Sequence, residues 1–256
     1  VTFDLANIVL LVCAAALAGA VNAAAGGGSL ISFPVLLLVG LPAISANVTN
    51  TVALCPGYLG GTVGFRPELV GQGPLMRRLT FVASGGAVAG VVLLQVSSPD
   101  TFHSVVPFLL LIACLLLVCQ KPLARWIFRH HVEGGRNGGL TAARDVGTFA
   151  ASAYGSYFGA ALGVLMLAIL GLLVDDTLQR INALKSYLSL TVNVIGAVLF
   201  AIVAPVHWPA VVVMVPASLL GGRTGAVVAR HISARWLRGG VATIGVTVAI
   251  LLIAGV

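Results

Sequence analysis

The stretch Asn22-Ala-Ala-Ala-Gly-Gly-Gly-Ser-Leu-Ile-Ser-Phe-Pro34 interrupts an otherwise apolar run. Three consecutive glycines break a helix, because each loses more conformational freedom on ordering than any other residue. Ser29 is then placed to cap the N-terminus of a second, short helix. Such an end offers free backbone N–H groups and the positive end of a dipole, an anion site that needs no charged side chain. Gly26, Gly27, Gly28 and Ser29 are therefore candidate substrate-binding residues. A helix broken in this way fits a membrane bundle, where irregular backbone is tolerated if it lines a cavity.

The rest of the chain points to lipid as its solvent. Its 256 residues carry 14 Lys+Arg and 7 Asp+Glu, so 8% are charged, where soluble domains carry about a quarter. With 59% apolar residues and a mean hydropathy of +1.09, there is more hydrophobic surface than one soluble core can hide. The excess of positive charge reads as cytoplasmic loops and not as a nucleic-acid surface. The first apolar run has only Asp4 before it and no positive n-region, so it reads as a retained helix and not as a signal peptide.

Ten apolar segments follow one another, near residues 5–25, 29–40, 45–64, 79–97, 104–120, 145–158, 160–174, 183–204, 208–229 and 237–255. Segments 29–40 and 160–174 are too short to cross alone. At about 1.5 Å per residue, a dozen helical residues rise roughly 18 Å against a hydrocarbon core of about 30 Å. They are expected to be broken pieces ending inside the membrane.

If every segment moves the chain to the other side, with the N-terminus outside, all positive residues fall at one face. These are Arg66, Arg77 and Arg78; Lys121, Arg125, Arg129, Arg136 and Arg144; Arg180 and Lys185; and Arg223, Arg230, Arg235 and Arg238. That face is then cytoplasmic, and both termini lie outside. Five segments per half make the second half enter in the opposite direction, so the expected fold is an all-α polytopic membrane protein of two inverted repeats, with short helices meeting near the midplane. Residues 1–120 form the first repeat, 121–143 a cytoplasmic linker loop and 144–256 the second repeat. In this register Gly28 and Gly40 pair with Gly159 and Gly171, and after a four-residue insertion Asn47, Gly61 and Phe65 pair with Asn182, Gly196 and Phe200.

Two polar faces emerge from that pairing. Asn47, Asn50 and Thr51 share one side of a helix, as do Asn182, Lys185 and Ser186. Lys185 either offers a positive charge to an anion or snorkels to the interface. Asn193 lies deeper in the same helix and is expected to face the bundle interior. All seven carboxylates, by contrast, lie in loops or at span ends, so no buried proton relay is evident. Cys13, Cys55, Cys114 and Cys119 form no CxxC pair, and the five histidines show no ligand spacing, so neither a metal nor a cofactor is expected. No nucleophile with a plausible base is present, which argues against an enzyme.

The run Ala25-Gly-Gly-Gly-Ser-Leu-Ile-Ser-Phe-Pro34, then Gly40-Leu-Pro42 and Ala46-Asn-Val-Thr-Asn-Thr51, resembles the TauE/SafE sulfite exporter family. Arg180-Ile-Asn-Ala-Leu-Lys185 and Gly221-Gly222 extend the resemblance over the second half. It departs at Gly159-Ala-Ala-Leu-Gly163, where no proline follows. The resemblance implies a bacterial inner-membrane transporter, here an exporter, of a small sulfur-containing anion such as sulfite or an organosulfonate. Its partners would be that anion and membrane lipid, without nucleic acid. A passive anion channel or a membrane assembly protein remain as alternatives, and the sequence does not set the oligomeric state.

Overall fold

The computed structural model describes residues 4–24, 26–129, 138–228 and 234–254. They form ten α-helices: α1 (Leu5–Ala24), α2 (Ser29–Leu38), α3 (Ala43–Gly64), α4 (Gly73–Val96), α5 (Pro99–Arg129), α6 (Gly138–Tyr157), α7 (Leu162–Leu173), α8 (Leu178–Val203), α9 (Trp208–Val228) and α10 (Ala234–Ala254). A 3-10 turn, Arg66–Leu69, joins α3 to α4. Each apolar segment expected from the sequence is a helix, and 29–40 and 160–174 are the two shortest. The expected linker is shorter than its sequence suggests. α5 continues to Arg129 and α6 begins at Gly138, because Lys121 to Arg129 holds no glycine and follows Pro122 with strong helix formers. Residues 130–137 of that linker lie outside the described residues.

Small residues set how closely the helices approach. α1 packs along α9, α6 along α4, and α3 lies against both α8 and α9. A Cβ on Gly221 would overlap the Ala16 carbonyl, and one on Gly86 would overlap the Phe149 carbonyl. Both are backbone-to-backbone contacts, the kind that holds helices together where lipid removes any hydrophobic drive to associate. α5 and α10 pair with each other, and α2 and α7 fit between these peripheral helices and α3 and α8.

Polar contacts sort the connections to two ends. At one end Arg78 pairs with Asp145 and Arg180 with Asp176, while Arg180 Nη1 donates to the Val70 carbonyl. The α3–α4 and α7–α8 connections and the start of α6 therefore lie together. At the other end Ser45 Oγ donates to the Pro205 carbonyl, Gln95 Nε2 to the Val203 carbonyl and the His207 N–H to Thr49 Oγ1. Phe102 meets Tyr157 edge-on nearby. Arg66, Arg77, Arg78, Arg144 and Arg180 all belong to the first end. Four helices contain windows long and apolar enough to cross a membrane: α1, α4, the first part of α5, and α8.

Candidate functional site

α1 and α2 are joined by a turn buried in the bundle. Gly26 takes φ +75°, a left-handed value that glycine adopts without steric cost. Its backbone packs on that of Gly163, one residue into α7. The break in the other half carries its own left-handed residues, Gly159 at +81° and Ala161 at +59°. The left-handed glycines that precede the two short helices are thus Gly26 and Gly159. Gly40 is also left-handed, whereas Gly171 is an ordinary helical residue of α7.

The start of α2 departs from expectation in its cap. Gly28 is the N-cap with helical backbone angles, and Ser29 is the first helical residue, with no side-chain cap from either. The acceptor comes instead from the preceding helix: the Gly28 N–H donates to Asn22 Oδ1 at 2.7 Å. The physical reason is the tight turn itself, which brings the last turn of α1 beside the first N–H groups of α2. Gly27 and Gly28 are packing residues. A Cβ on Gly28 would overlap the Ala18 carbonyl, and one on Gly27 would press on the Leu117 side chain. Neither reaches the cavity described next.

That cavity lies between the break and α3, α7 and α8. Asn22, Ala23 and Gly26 contribute from the break, Gly57 and Tyr58 from α3, Gly163 from α7, and Lys185, Ser186 and Ser189 from α8. Its volume is about 20 Å³, room for about one water and too little for an oxoanion until the helices part. Lys185 is 6% exposed, with its stem passing Gly163. The ion pairs among the described residues join Arg78 and Arg144 to Asp145 and Arg180 to Asp176, and none reaches Lys185. A side chain this buried lines the interior of the bundle.

Two residues that line the cavity, Asn22 and Ser189, carry buried side-chain atoms without partners. Asn22 gives its Oδ1 to Gly28, so its Nδ2 points away from the cap, is buried, and has no hydrogen bond. Ser189 Oγ is likewise buried and unpaired, although its carbonyl accepts from Asn193 Nδ2. Unpaired buried donors are uncommon, since each forfeits its hydration without recompense. Tyr58 is partly buried, with the side chains of Asn193 and Ser29 near its hydroxyl.

The sequence candidates divide accordingly. Gly26, Lys185 and Ser186 line the cavity, and Ser29 and Asn193 reach it through Tyr58. Asn47, Asn50 and Thr51 sit toward the other end of the bundle. Asn47 Nδ2 donates to the Tyr157 carbonyl, Asn50 Oδ1 accepts from Ser32 Oγ, and Thr51 Oγ1 donates to the Asn47 carbonyl. Asn182 lies one turn below Lys185, its carbonyl accepting from Ser186 Oγ. The convergence of both polar faces on one point is therefore not what is found: only the α8 face meets the cavity.

Sequence reasoning missed Asn22, Tyr58 and Ser189 as site residues. Ser189 was accessible, standing four residues after Lys185 and four before Asn193 on one helical stripe. Asn22 marked the edge of the glycine run, but which of its atoms faced the cavity depends on the turn.

Residues 11–252 match the family model described as "Sulfite exporter TauE/SafE". The chain belongs to the TauE/SafE family. Among its relatives is the "Probable membrane transporter protein YfcA" of Escherichia coli, 26% identical over 214 residues, 82% of this chain and 76% of the relative. A "Probable membrane transporter protein" of Haemophilus influenzae is 33% identical over 105 residues, 41% of each chain. No solved structure matches the chain. This TauE/SafE protein is thus a multi-pass membrane protein of a transporter family and not an enzyme. Its buried cavity is the place where transport chemistry can be sought.

Proposed function

We propose that this TauE/SafE protein exports a small sulfur-containing anion, such as sulfite or an organosulfonate, across the bacterial inner membrane, binding it at the Lys185 cavity. The observation that carries this reading is a buried ammonium group in a narrow cavity whose lining residues include two with unpaired buried side-chain atoms. An isolated buried charge is costly, and a bound anion relieves that cost while satisfying the donors. Export runs with an inside-negative potential, worth about 2.3 kcal/mol per charge at roughly 100 mV, so a facilitated path suffices.

Two inverted repeats, residues 1–120 and 144–256, with a cytoplasmic linker and both termini outside, complete the reading. Helix pairings support the repeats. α1 lies on α9 as α6 lies on α4, and α3 on α9 as α8 on α4. The contact of Gly221 with Ala16 recurs as that of Gly86 with Phe149. Ala16 and Phe149 each precede a left-handed glycine, Gly26 and Gly159, by ten residues. Gly86 and Gly221 each follow the first residue of their helix by thirteen. With repeats packed in this way, one half rocking against the other would open the cavity to each side in turn. A cavity with room for about one water favours such a carrier over a passive channel.

The decisive experiment is flux in proteoliposomes with sulfite, sulfate, thiosulfate, sulfoacetate, taurine and formate. Saturable sulfite or sulfonate flux with trans-stimulation is expected. Absence of flux for every sulfur anion would refute the substrate, and linear unsaturable flux would favour the channel.

A further inference from the structure

The Lys185 cavity has one positive charge and an excess of neutral donors. Lys185, Asn22 and Ser189 are 6%, 7% and 2% exposed and line the same small cavity. Asn22 Nδ2 and Ser189 Oγ have no partner. Among the described residues no carboxylate and no second basic side chain shares the cavity.

We infer that the cavity selects singly charged oxoanions, hydrogensulfite or an alkylsulfonate rather than sulfite or sulfate dianions, with Asn22 Nδ2 and Ser189 Oγ as the neutral donors that complete Lys185. The inference rests on the reading that this cavity is the anion site. A monoanion brings the net charge of the closed cavity to zero. A dianion leaves one uncompensated negative charge in a low-dielectric interior, where such a charge is far more costly than in water. Neutral donors cannot cancel that charge, but they can meet oxygens that the single ammonium leaves bare. A sulfonate or hydrogensulfite presents three oxygens on one face, and three residues that line this cavity, Asn22 from α1 and Lys185 and Ser189 from α8, each carry a donor.

Asn22 performs two tasks at once. Its Oδ1 holds the Gly28 N–H at the start of α2, which fixes the amide and leaves its Nδ2 buried without a partner. Replacement by aspartate separates these tasks. The carboxylate still accepts from Gly28, and a negative charge suits a helix N-terminus. It donates nothing to a substrate and neutralises Lys185.

The test uses the full chain in proteoliposomes, with labelled sulfite flux followed at mildly acid and alkaline pH. Methanesulfonate, a monoanion throughout, and sulfate, a dianion throughout, serve as competitors. Methanesulfonate is expected to compete equally at both pH values, and sulfate to compete at least tenfold more weakly. The apparent KM for total sulfite should rise with pH as hydrogensulfite is depleted. Asn22→Asp and Ser189→Ala should both purify and reconstitute normally. Asn22→Asp should lose binding at least tenfold and Ser189→Ala severalfold, with KM affected more than kcat. Equal competition by sulfate and methanesulfonate overturns the charge selection, while leaving the transporter reading intact. Unchanged KM in Asn22→Asp overturns its role as a donor. No flux of any sulfur anion by the wild type removes both readings together.

Discussion

Gly26 and Gly163 meet backbone to backbone: a Cβ built on Gly26 would stand 3.2 Å from Gly163 Cα, and one on Gly163 would stand 3.3 Å from Gly26 Cα. The two helix breaks are thus in direct contact beside the candidate cavity, which both glycines line. Gly163 has ordinary helical angles, so alanine is accommodated by a shift of a few tenths of an ångström. Gly26, at φ +75°, strains any side chain as well. Gly163→Ala is expected to fold and to reduce flux modestly. Gly163→Val fills the cavity and should lower kcat/KM by about tenfold or more, the effect of roughly 1.4 kcal/mol. Initial rates of sulfite flux, measured beside size-exclusion profiles in detergent, check this. A fully active Gly163→Val would show that the cavity is not on the substrate path.

Gly28 provides a contrasting case. Its Cβ would overlap the α1 backbone at Ala18, as those of Gly86 and Gly221 would overlap Phe149 and Ala16. Overpacking ordinarily costs about 1–3 kcal/mol, and backbone here has no rotamer with which to yield. Gly28→Val, Gly86→Val and Gly221→Val are expected to lose monodisperse protein on extraction. Gly139→Ala, which meets nothing within 4 Å, should be silent. Normal yields of Gly28→Val would contradict the close approach of α1 and α2.

These glycines mark the limit of what the sequence could tell. The ten helices were legible because lipid imposes a simple rule: each span must be apolar and must satisfy its own backbone. The break at residues 26–28 was legible too, since three glycines leave a helix little support. What each glycine does was not. Whether Gly26, Gly27 or Gly28 faces substrate, a side chain or backbone depends on the path of the turn, which tertiary packing sets. Ser29 is a good cap by residue type, yet Asn22 occupies the position, because a turn this tight brings α1 alongside. The face of Asn47, Asn50 and Thr51 was identified correctly as polar, and its hydrogen bonds to Tyr157 and Ser32 show where that polarity goes.

The proposed orientation rests on the segregation of charge. Arg66, Arg77, Arg78, Arg144 and Arg180, in or beside the α3–α4 and α7–α8 connections and the start of α6, share one end of the bundle, and His103 and His207 belong to the other. With the basic end inside, a cysteine introduced at Gly135 in a cysteine-free background should be labelled by an impermeant maleimide only after the cells are opened. One introduced at Ser98 should react in intact cells. The reverse pattern would invert the proposed orientation and, with it, the direction of export.

The Tyr58 hydroxyl of α3 lies near the side chains of Asn193 in α8 and Ser29 in α2, and Tyr58 lines the cavity. A neutral hydrogen bond made to either as the site closes contributes about 0.5–1.5 kcal/mol. Tyr58→Phe is expected to keep the fold and loosen the closed state, raising KM for sulfite severalfold with a smaller change in kcat. Concentration dependence of flux in proteoliposomes separates the two. An unchanged KM would confine Tyr58 to packing.

Energy coupling is the point at which the charge map makes its strongest demand. A proton-coupled carrier ordinarily keeps an ionisable carboxylate or histidine in its interior. Here Asp145 pairs with Arg78 and Arg144, and Asp176 with Arg180, all at the basic end. Glu68 lies in the 3-10 turn beside them. Lys185 is the charged group in the cavity, so it is expected to act as the counter-charge of the substrate and not as a member of a carboxylate relay. Lys185→Gln should weaken anion binding at least tenfold. Asp175→Asn and Asp176→Asn should leave the pH dependence of flux unaltered, and loss of the partly exposed Asp176–Arg180 pair should cost under about 1 kcal/mol of stability. Sulfonate flux is the proper readout, because the charge of a sulfonate is constant where that of sulfite titrates. If either aspartate variant abolishes the pH dependence of sulfonate flux while binding persists, a carboxylate at the periphery couples protons, and facilitated export along the membrane potential is the wrong account.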